Sequence, residues 1–236
     1  MTNNTIVSIY GKKGSGKTVK AVELFNSYKD IRIFWNFQQE EYPILAVPFN
    51  DLENWKVKYS SYNFLNDNEN LLEQMVDRIK QIQEIRMKKN KNAHILLVID
   101  ECDKFANHQM GVNNPNYSAM NWLCRKSRSR NIDLIFITQK PQRLHPDIYS
   151  ETDIFYFYFL NNKDWKFLKN NAWLDVSDAL IEHTHPYKSY KYVEFNDTDP
   201  NGIQHEAIQL DKRWSKSLDE GKSRKAKSLK NLLSEE

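Results

Sequence analysis

Residues 11–18 form a glycine-rich loop that constrains the fold of this chain more than any other segment. The loop reads Gly-Lys-Lys-Gly-Ser-Gly-Lys-Thr and lies between an apolar run, residues 6–10, and an amphipathic stretch, residues 19–28. A strand, such a loop and a helix in this order are typical of a P-loop, in which backbone N–H groups surround a polyphosphate. The three glycines let the backbone turn tightly and approach the phosphates closely. The pattern predicts a nucleotide-binding site.

The side chains at the end of this loop have expected roles. Lys17 is expected to reach the β- and γ-phosphate oxygens as a point charge, and the Thr18 hydroxyl is expected to coordinate Mg²⁺. The N-terminus of the following helix adds a partial positive charge at the same place. We predict that the nucleotide contacts the loop and the residue after it, namely Gly11, Lys12, Lys13, Gly14, Ser15, Gly16, Lys17, Thr18 and Val19.

Two adjacent acidic residues follow a second apolar run. Residues 95–99 read ILLVI, which indicates a central strand covered on both faces. Asp100 and Glu101 come directly after it, at the carboxyl end where parallel sheets bind their ligands. Asp100 is expected to hold the Mg²⁺ hydration shell, and Glu101 is expected to orient or deprotonate the attacking water. The alternative is that Asp100 only caps a helix.

A third apolar run, residues 134–137, ends in Thr138 and Gln139. We expect this strand to lie beside the P-loop strand. Gln139 would then be placed to sense the γ-phosphate or to position water. The predicted catalytic residues are therefore Lys17, Glu101 and Gln139, together with one arginine of the basic segment that precedes this strand.

That basic segment carries a family resemblance. Residues 124–141, CRKSRSRNIDLIFITQKP, resemble the FtsK/HerA branch of the ASCE P-loop ATPases, in which a basic helix end precedes an apolar strand ending in Thr-Gln. The order of P-loop, Asp-Glu strand, basic segment and Thr-Gln strand is the same, over roughly residues 5–165. Within this branch the chain looks like the genome-packaging ATPases of internal-membrane viruses with double jelly-roll capsids. It departs from the branch at Arg130 and Asn131, where glycine is usual, although asparagine tolerates a left-handed backbone.

The resemblance implies an ATP-hydrolysing motor that packages or translocates double-stranded DNA, with ATP and Mg²⁺ as ligands. It implies a homo-oligomeric ring, usually a hexamer, in which an arginine of one subunit reaches the γ-phosphate held by its neighbour. Arg128 is the first candidate for this finger, followed by Arg125 and Arg130. Alternatively, these arginines stabilise a helix C-terminus or contact DNA phosphates. Capsid or membrane vertex proteins are further candidate partners.

The implied fold is α/β, a RecA-like (ASCE) P-loop NTPase with a mostly parallel central sheet flanked by helices. Residues 1–180 are expected to form the ATPase core. Two β-rich stretches, residues 187–195 and 203–210, predict a β-hairpin appendage within residues 181–211 that packs on the core. The remaining residues, 212–236, are rich in lysine and serine and predict a basic C-terminal tail.

The composition argues against several other classes of protein. No stretch approaches the roughly twenty apolar residues of a membrane span, and the first residues lack the pattern of a secretory signal. We therefore expect a soluble protein of the host cytoplasm or the virion, without a transmembrane segment. The net charge of +3, from 34 basic and 31 acidic residues, is too small to identify a polyanionic partner by itself.

Two other functions also fit parts of the sequence. A nucleoside or nucleotide kinase would use the arginine-rich segment as a lid over phosphates, but the Asp100–Glu101 pair and Gln139 argue against it. A virion assembly or extrusion factor resembling the zonula-occludens-toxin family would use nucleotide binding for morphogenesis at a membrane. That family usually carries a transmembrane helix, which the sequence does not show.

Overall fold

The structure, a computed structural model, describes residues 4–44, 46–104, 106–107, 109, 111, 113–171, 176–196 and 199–207. The strands of these residues form one sheet, and they are β1 (Ile6–Tyr10), β2 (Ile31–Trp35), β3 (Val47–Phe49), β4 (Ser61–Phe64), β5 (Ile95–Ile99), β6 (Ile132–Thr138), β7 (Ile154–Phe157), β8 (Tyr192–Asn196) and β9 (Asp199–His205). Their order across the sheet is β3-β4-β2-β5-β6-β1-β7-β8-β9. Neighbours from β3 to β7 are parallel, and β8 and β9 are antiparallel. The predicted mostly parallel α/β sheet is confirmed.

Helices cover both faces of this sheet. They are α1 (Lys17–Ser27), α2 (Leu72–Lys89), α3 (Pro115–Lys126), α4 (Pro146–Glu151), α5 (Asn162–Asn171) and α6 (Asp178–His183). Side chains of β1 alternate between two apolar clusters, because successive strand residues point to opposite faces. Val7 and Ile9 join a cluster whose helical members all come from α1, whereas Ile6 and Tyr10 join a larger cluster that includes residues of the later helices.

The position of β6 decides where the site forms. This strand lies between β5 and β1, with Ile99 opposite Phe136 and Tyr10 opposite Thr138. The expectation that the Thr-Gln strand neighbours the P-loop strand is therefore met. Because the three strands are parallel, the segments that follow them emerge at one edge of the sheet.

The C-terminal hairpin is part of the sheet. β8 pairs with β7 and β9 pairs with β8, so the predicted appendage extends the central sheet at its edge. The second strand begins at Asp199, earlier than the sequence suggested, because most of the turn-rich segment 196–202 is paired as strand. The predicted basic tail, residues 212–236, lies entirely outside the described residues, as do residues 208–211.

Some local predictions were wrong. The polar, asparagine-rich composition of residues 104–118 predicts a loop. However, α3 already begins at Pro115, where the Asn114 side chain accepts a hydrogen bond from the Asn116 N–H at 2.9 Å. An asparagine cap followed by proline is a regular helix start. Neither the short strand β3 nor helix α6 was anticipated. In the parts of the chain that the structure describes, no helix is both long enough and apolar enough to cross a membrane.

Candidate nucleotide-binding site

The backbone of the loop after β1 requires its glycines. Gly14 and Gly16 have φ values of +74° and +107°, in the left-handed region that residues with a side chain rarely adopt. A Cβ atom on Gly11 would lie 2.6 Å from the Ser15 Oγ atom and 2.7 Å from the Tyr158 Cβ atom. No larger residue fits at Gly11 without displacing its neighbours. The loop therefore has the tight turn that the sequence predicts for phosphate binding.

The first two lysines of the loop differ in their surroundings. Lys12 donates its backbone N–H to the Phe159 carbonyl oxygen at 2.9 Å, and its side chain forms an ion pair of 3.1 Å with the buried carboxylate of Asp164. Lys13 is exposed, and its carbonyl oxygen accepts a hydrogen bond from the Tyr187 hydroxyl. Lys12 therefore fixes the loop against β7 and α5. Of these two lysines, Lys13 is the one whose side chain is free to extend towards solvent.

Lys17 opens α1 and is almost enclosed, with 6% of its surface exposed. Its Nζ atom donates to the Lys12 carbonyl oxygen at 3.1 Å. Burial lowers the pKa of Lys17 to about 8, and the negative charges of Glu101 and Asp100 limit this decrease. The Ser15 Oγ atom is also buried and has no hydrogen-bond partner within the described residues. A buried cation and an unpaired hydroxyl are groups that phosphate oxygens would satisfy, so the loop fits a polyphosphate.

The first turn of α1 completes the anion site. Gly16 is its left-handed N-cap, and no side chain of the described residues caps the turn. The N–H groups that begin a helix have no intrahelical partners, so those near Thr18 and Val19 remain available to an anion. Both residues are partly exposed.

Asp100 follows β5 and is 3% exposed. Its Oδ2 atom accepts a hydrogen bond from the Tyr42 hydroxyl at 2.7 Å, and its Oδ1 atom accepts one from the Glu101 N–H at 3.0 Å. Burial raises the pKa of Asp100 to about 6, although the Tyr42 hydrogen bond works against this increase. The Thr18 side chain also lies near the Tyr42 hydroxyl. The two predicted Mg²⁺ ligands therefore share one neighbour.

Glu101 is 8% exposed and has a left-handed φ of +51°. Few residues other than glycine, asparagine and aspartate adopt this conformation, and it often marks functional sites. The Oε1 atom of Glu101 accepts a hydrogen bond from the Gln139 side chain and a second one, of 2.8 Å, from Gln38 Nε2. The structure thus brings together the two predicted catalytic side chains that follow β5 and β6.

Three residues of this site were missed by the sequence reasoning. Gln38 and Tyr42 belong to the segment after β2, and no motif marks them. Asp103 is 3% exposed and accepts a hydrogen bond from the Thr138 hydroxyl at 2.7 Å. In the sequence, only its position two residues after Glu101 could have pointed to Asp103 as a residue of this site.

Arg128 lies far from these carboxylates within one subunit. It begins the 3₁₀ turn Arg128–Arg130, which precedes β6, whereas Gln139 follows β6. At about 3.3 Å per residue, this strand separates the two by roughly 20 Å. The Arg128 guanidinium donates to the Glu151 carbonyl oxygen at 2.7 Å and to the Asp153 carboxylate at 2.8 Å. Arg128 can act at a phosphate only in another subunit, and only after these contacts break.

The other two candidate arginines differ in their contacts. Arg125 makes hydrogen bonds of 3.4 Å to the Asp147 carboxylate. Arg130 is exposed and has no side-chain hydrogen bond or ion pair with any other residue that the structure describes. Of the three, Arg130 is therefore the most available to a neighbouring subunit, and the finger role of Arg128 stays a prediction.

The fold and the site together define a class. A P-loop after β1, an acidic pair after β5 and a single strand between β1 and β5 are the arrangement of a RecA-like P-loop NTPase. The chain belongs to the family described as zonular occludens toxin (Zot), because the model of that family matches residues 5–163. Comparison with curated protein sequences gives no significant match.

Solved structures with the same fold include the genome packaging NTPase B204 of Sulfolobus turreted icosahedral virus 2 in complex with AMPPCP. It is 18% identical, with a TM-score of 0.67 over 87% of this chain and 98% of that one. VirB4 of Thermoanaerobacter pseudethanolicus is 11% identical, with a TM-score of 0.67 over 91% of each chain. At identities this low, the structural similarity establishes only the fold. It confirms the predicted RecA-like P-loop fold, which the packaging NTPase shares.

Proposed function

We propose that the protein is an ATP-hydrolysing motor that translocates or packages double-stranded DNA during virus assembly. One observation carries this proposal: the P-loop lysine and the hydrogen-bonded Glu101–Gln139 pair lie at the same edge of the sheet. A nucleotide-binding loop alone would only hold a triphosphate. The Glu101 carboxylate and the Gln139 amide beside this loop would deprotonate and orient a water molecule for attack on the γ-phosphate.

The chemistry can be assigned to individual side chains. The N–H groups of the loop and the Lys17 ammonium would bind the β- and γ-phosphates, and their preorganised charge would stabilise the transition state. Glu101 would accept the proton of the attacking water, because it is the carboxylate closest to Gln139. Gln139 would orient that water through its amide. A kinase would instead need to exclude water, so this pair favours hydrolysis.

Thr18 and Asp100 fit an Mg²⁺ site, because both side chains lie next to one oxygen atom, the Tyr42 hydroxyl, which bonds Asp100 at 2.7 Å. Magnesium in nucleotide sites binds one or two protein oxygens and completes its shell with water and phosphate oxygens. When bound, it would neutralise charge on the β- and γ-phosphates.

The nucleoside is expected on the opposite side of the P-loop. Because Glu101 lies on the β5 side, a triphosphate with its γ-phosphate there extends its nucleoside towards β7 and β8. Tyr187 and Tyr190 are 44% and 47% exposed on this side. The Tyr187 hydroxyl lies 3.3 Å from where a Cβ of Gly14 would be, and the Tyr190 ring lies 3.4 Å from the corresponding position of Gly16. Aromatic rings stack on any base, so we expect little discrimination among purines.

Action on DNA is supported by the fold, because one structure that shares it is named a genome packaging NTPase. The Zot family match favours a second candidate, in which nucleotide turnover drives virion assembly or extrusion without DNA as the activator. Both place the protein in the host cytoplasm or the virion, and both allow capsid or membrane proteins as partners.

Steady-state ATPase assays with and without duplex DNA, on protein of measured oligomeric state, separate these candidates. A DNA motor is expected to hydrolyse ATP severalfold faster when duplex DNA is present. An unchanged rate would favour the assembly factor, and a rate that rises only with an added nucleoside would indicate a kinase. No hydrolysis under any condition would contradict the proposal.

We further propose a ring in which an arginine acts in trans, and the free guanidinium of Arg130 makes it the first residue to test. Arg130→Ala and Glu101→Gln should each inactivate a uniform ring. Mixed rings should regain part of the activity, because a Glu101→Gln subunit can supply its arginine to an Arg130→Ala neighbour.

The ATPase rate is measured as a function of the mixing ratio. Arg128→Ala is tested in the same way, together with its thermal unfolding, because it also removes two contacts that hold the turn. The absence of recovery at every ratio for Arg130→Ala, Arg128→Ala and Arg125→Ala would argue against a finger in this basic segment.

A further inference from the structure

One surface segment contacts both carboxylates of the site. We call residues 36–44, which follow β2, the strap segment. Its Tyr42 hydroxyl donates to Asp100 Oδ2 at 2.7 Å and lies near the Thr18 side chain. This hydroxyl therefore neighbours both predicted Mg²⁺ ligands.

The space between Thr18 and Asp100 is where the proposed Mg²⁺ would bind. The ion needs about six oxygen ligands at about 2.0–2.1 Å and keeps several waters. Because the Tyr42 hydroxyl already bonds Asp100 Oδ2, a hydrated ion that binds at Asp100 competes with this hydroxyl for the same oxygen atom. Binding of Mg²⁺ is therefore expected to displace Tyr42.

The same segment also holds the proposed catalytic base. Gln38 Nε2 donates to Glu101 Oε1 at 2.8 Å, and Gln139 donates to the same oxygen atom. With two donors on one oxygen, that oxygen has little capacity left to accept a proton from water. Removal of Gln38 would leave Gln139 as the remaining partner and would free a lone pair of Glu101.

The ends of the strap segment are bonded to the rest of the protein, because the Asn36 N–H donates to the Phe64 carbonyl oxygen at 2.9 Å and Asn26 Nδ2 donates to the Pro43 carbonyl oxygen at 3.3 Å. Its middle is held mainly by local contacts. Asn36 Nδ2 donates to the Glu40 carbonyl oxygen at 2.6 Å, and Asn36 Oδ1 accepts from the Glu40 N–H at 3.1 Å. Residues 38–41 are exposed, and the Tyr42 ring packs on Phe34 with a centroid distance of 5.4 Å. Because residues 38–41 make few buried contacts, this middle part of the segment can move at a low free-energy cost.

We propose that the strap segment is displaced by the metal, with Tyr42 and Gln38 as positioning residues. Arrival of the Mg²⁺–nucleotide complex displaces Tyr42 from Asp100, and the same movement withdraws Gln38 from Glu101. The Oε1 atom of Glu101 then gains a free lone pair for the attacking water only when the metal is in place. This inference rests on the proposed function, because its ligand is the Mg²⁺ complex of a nucleoside triphosphate.

The first test compares affinities for a non-hydrolysable ATP analogue with Mg²⁺ and with a chelator. Tyr42→Phe keeps the ring on Phe34 but removes the hydroxyl that competes with the metal. The gain in affinity on adding Mg²⁺ is expected to be about tenfold larger in Tyr42→Phe than in the unmodified protein. The control is Tyr28→Phe, which removes a hydroxyl bonded to the buried carboxylate of Asp133 at the other end of the sheet. An equal gain in the Tyr42→Phe and unmodified proteins would overturn the inference.

The second test measures amide hydrogen exchange in the strap segment. The Gln39 N–H donates to the Asn36 carbonyl oxygen at 3.2 Å and the Ile44 N–H donates to the Tyr42 carbonyl oxygen at 2.8 Å, so both report opening. Exchange is expected to accelerate with the Mg²⁺–analogue complex and not with the analogue plus chelator. Analogue binding without this difference overturns the strap inference alone. Failure of the analogue to bind at all would overturn the proposed function as well.

Discussion

Replacing Lys17 with alanine is expected to reduce kcat/KM for ATP hydrolysis by at least about 10³-fold, which corresponds to about 4 kcal/mol of transition-state stabilisation. Lys17 is the buried cation of the loop, and without ligand its ammonium group bonds only the Lys12 carbonyl oxygen among the described residues. Phosphate oxygens would replace that weak partner. Removal of the charge leaves the triphosphate beside Asp100 and Glu101 without a counter-charge from α1. Nucleotide binding and steady-state turnover measure the effect.

Lys20→Ala is the matched control. Lys20 lies one helical turn later in α1 and pairs with Glu23 at 3.1 Å, so its loss should leave turnover within a few fold of the unmodified protein. Thermal unfolding of both variants separates a local effect from loss of the fold. Full turnover in Lys17→Ala would remove the assignment of the loop as a P-loop.

Lys17 also gives a pH signature. Its pKa of about 8 means that the charged form, which binds phosphate, is lost as the pH rises through that value. Triphosphate affinity should therefore fall above about pH 8, and this part of the pH dependence should be absent in Lys17→Ala. The comparison is made by titrating nucleotide binding from about pH 7 to pH 9.

The core of the site could be predicted because its residues are encoded locally. Gly11 to Thr18 form one contiguous loop, and Asp100 and Gln139 each end an apolar run that could only be a buried strand. Parallel strands then bring these ends to one edge of the sheet, whatever the exact strand order. The sequence analysis also expected β6 to neighbour β1, and the register of those strands agrees.

The contacts that the sequence could not predict are long-range. Tyr42 and Gln38 lie about 60 residues before the carboxylates they bond, in a segment without periodicity or motif. The ion pair between Arg128 and Asp153 depends on how β7 begins next to β1, which no local pattern encodes. The sequence could not tell which arginine of the basic segment is free, and in the structure Arg130 is the only one of the three candidate arginines that lacks a side-chain partner among the residues described. Whether a basic side chain is free or paired is therefore decided by tertiary contacts, which local sequence propensities do not encode.

Replacing Glu101 with glutamine is expected to leave ATP bound but to slow hydrolysis by about 10²–10⁴-fold. Glutamine has the same shape, and its Oε1 atom can still accept the hydrogen bonds from Gln38 and Gln139. What is lost is the negative charge that would draw a proton from water. Because that charge also repels the triphosphate, ATP affinity should stay equal or increase.

Single-turnover hydrolysis and equilibrium binding of ATP, measured on the same preparation, separate the two effects of Glu101→Gln. Asp103→Asn is the contrast, since Asp103 is buried on the same turn but bonds Thr138 instead of the glutamines, and asparagine keeps that acceptor. Its turnover should fall less than about tenfold. If Glu101→Gln loses ATP binding, or hydrolyses ATP no more slowly than Asp103→Asn, then Glu101 supports the structure of the loop rather than activating water.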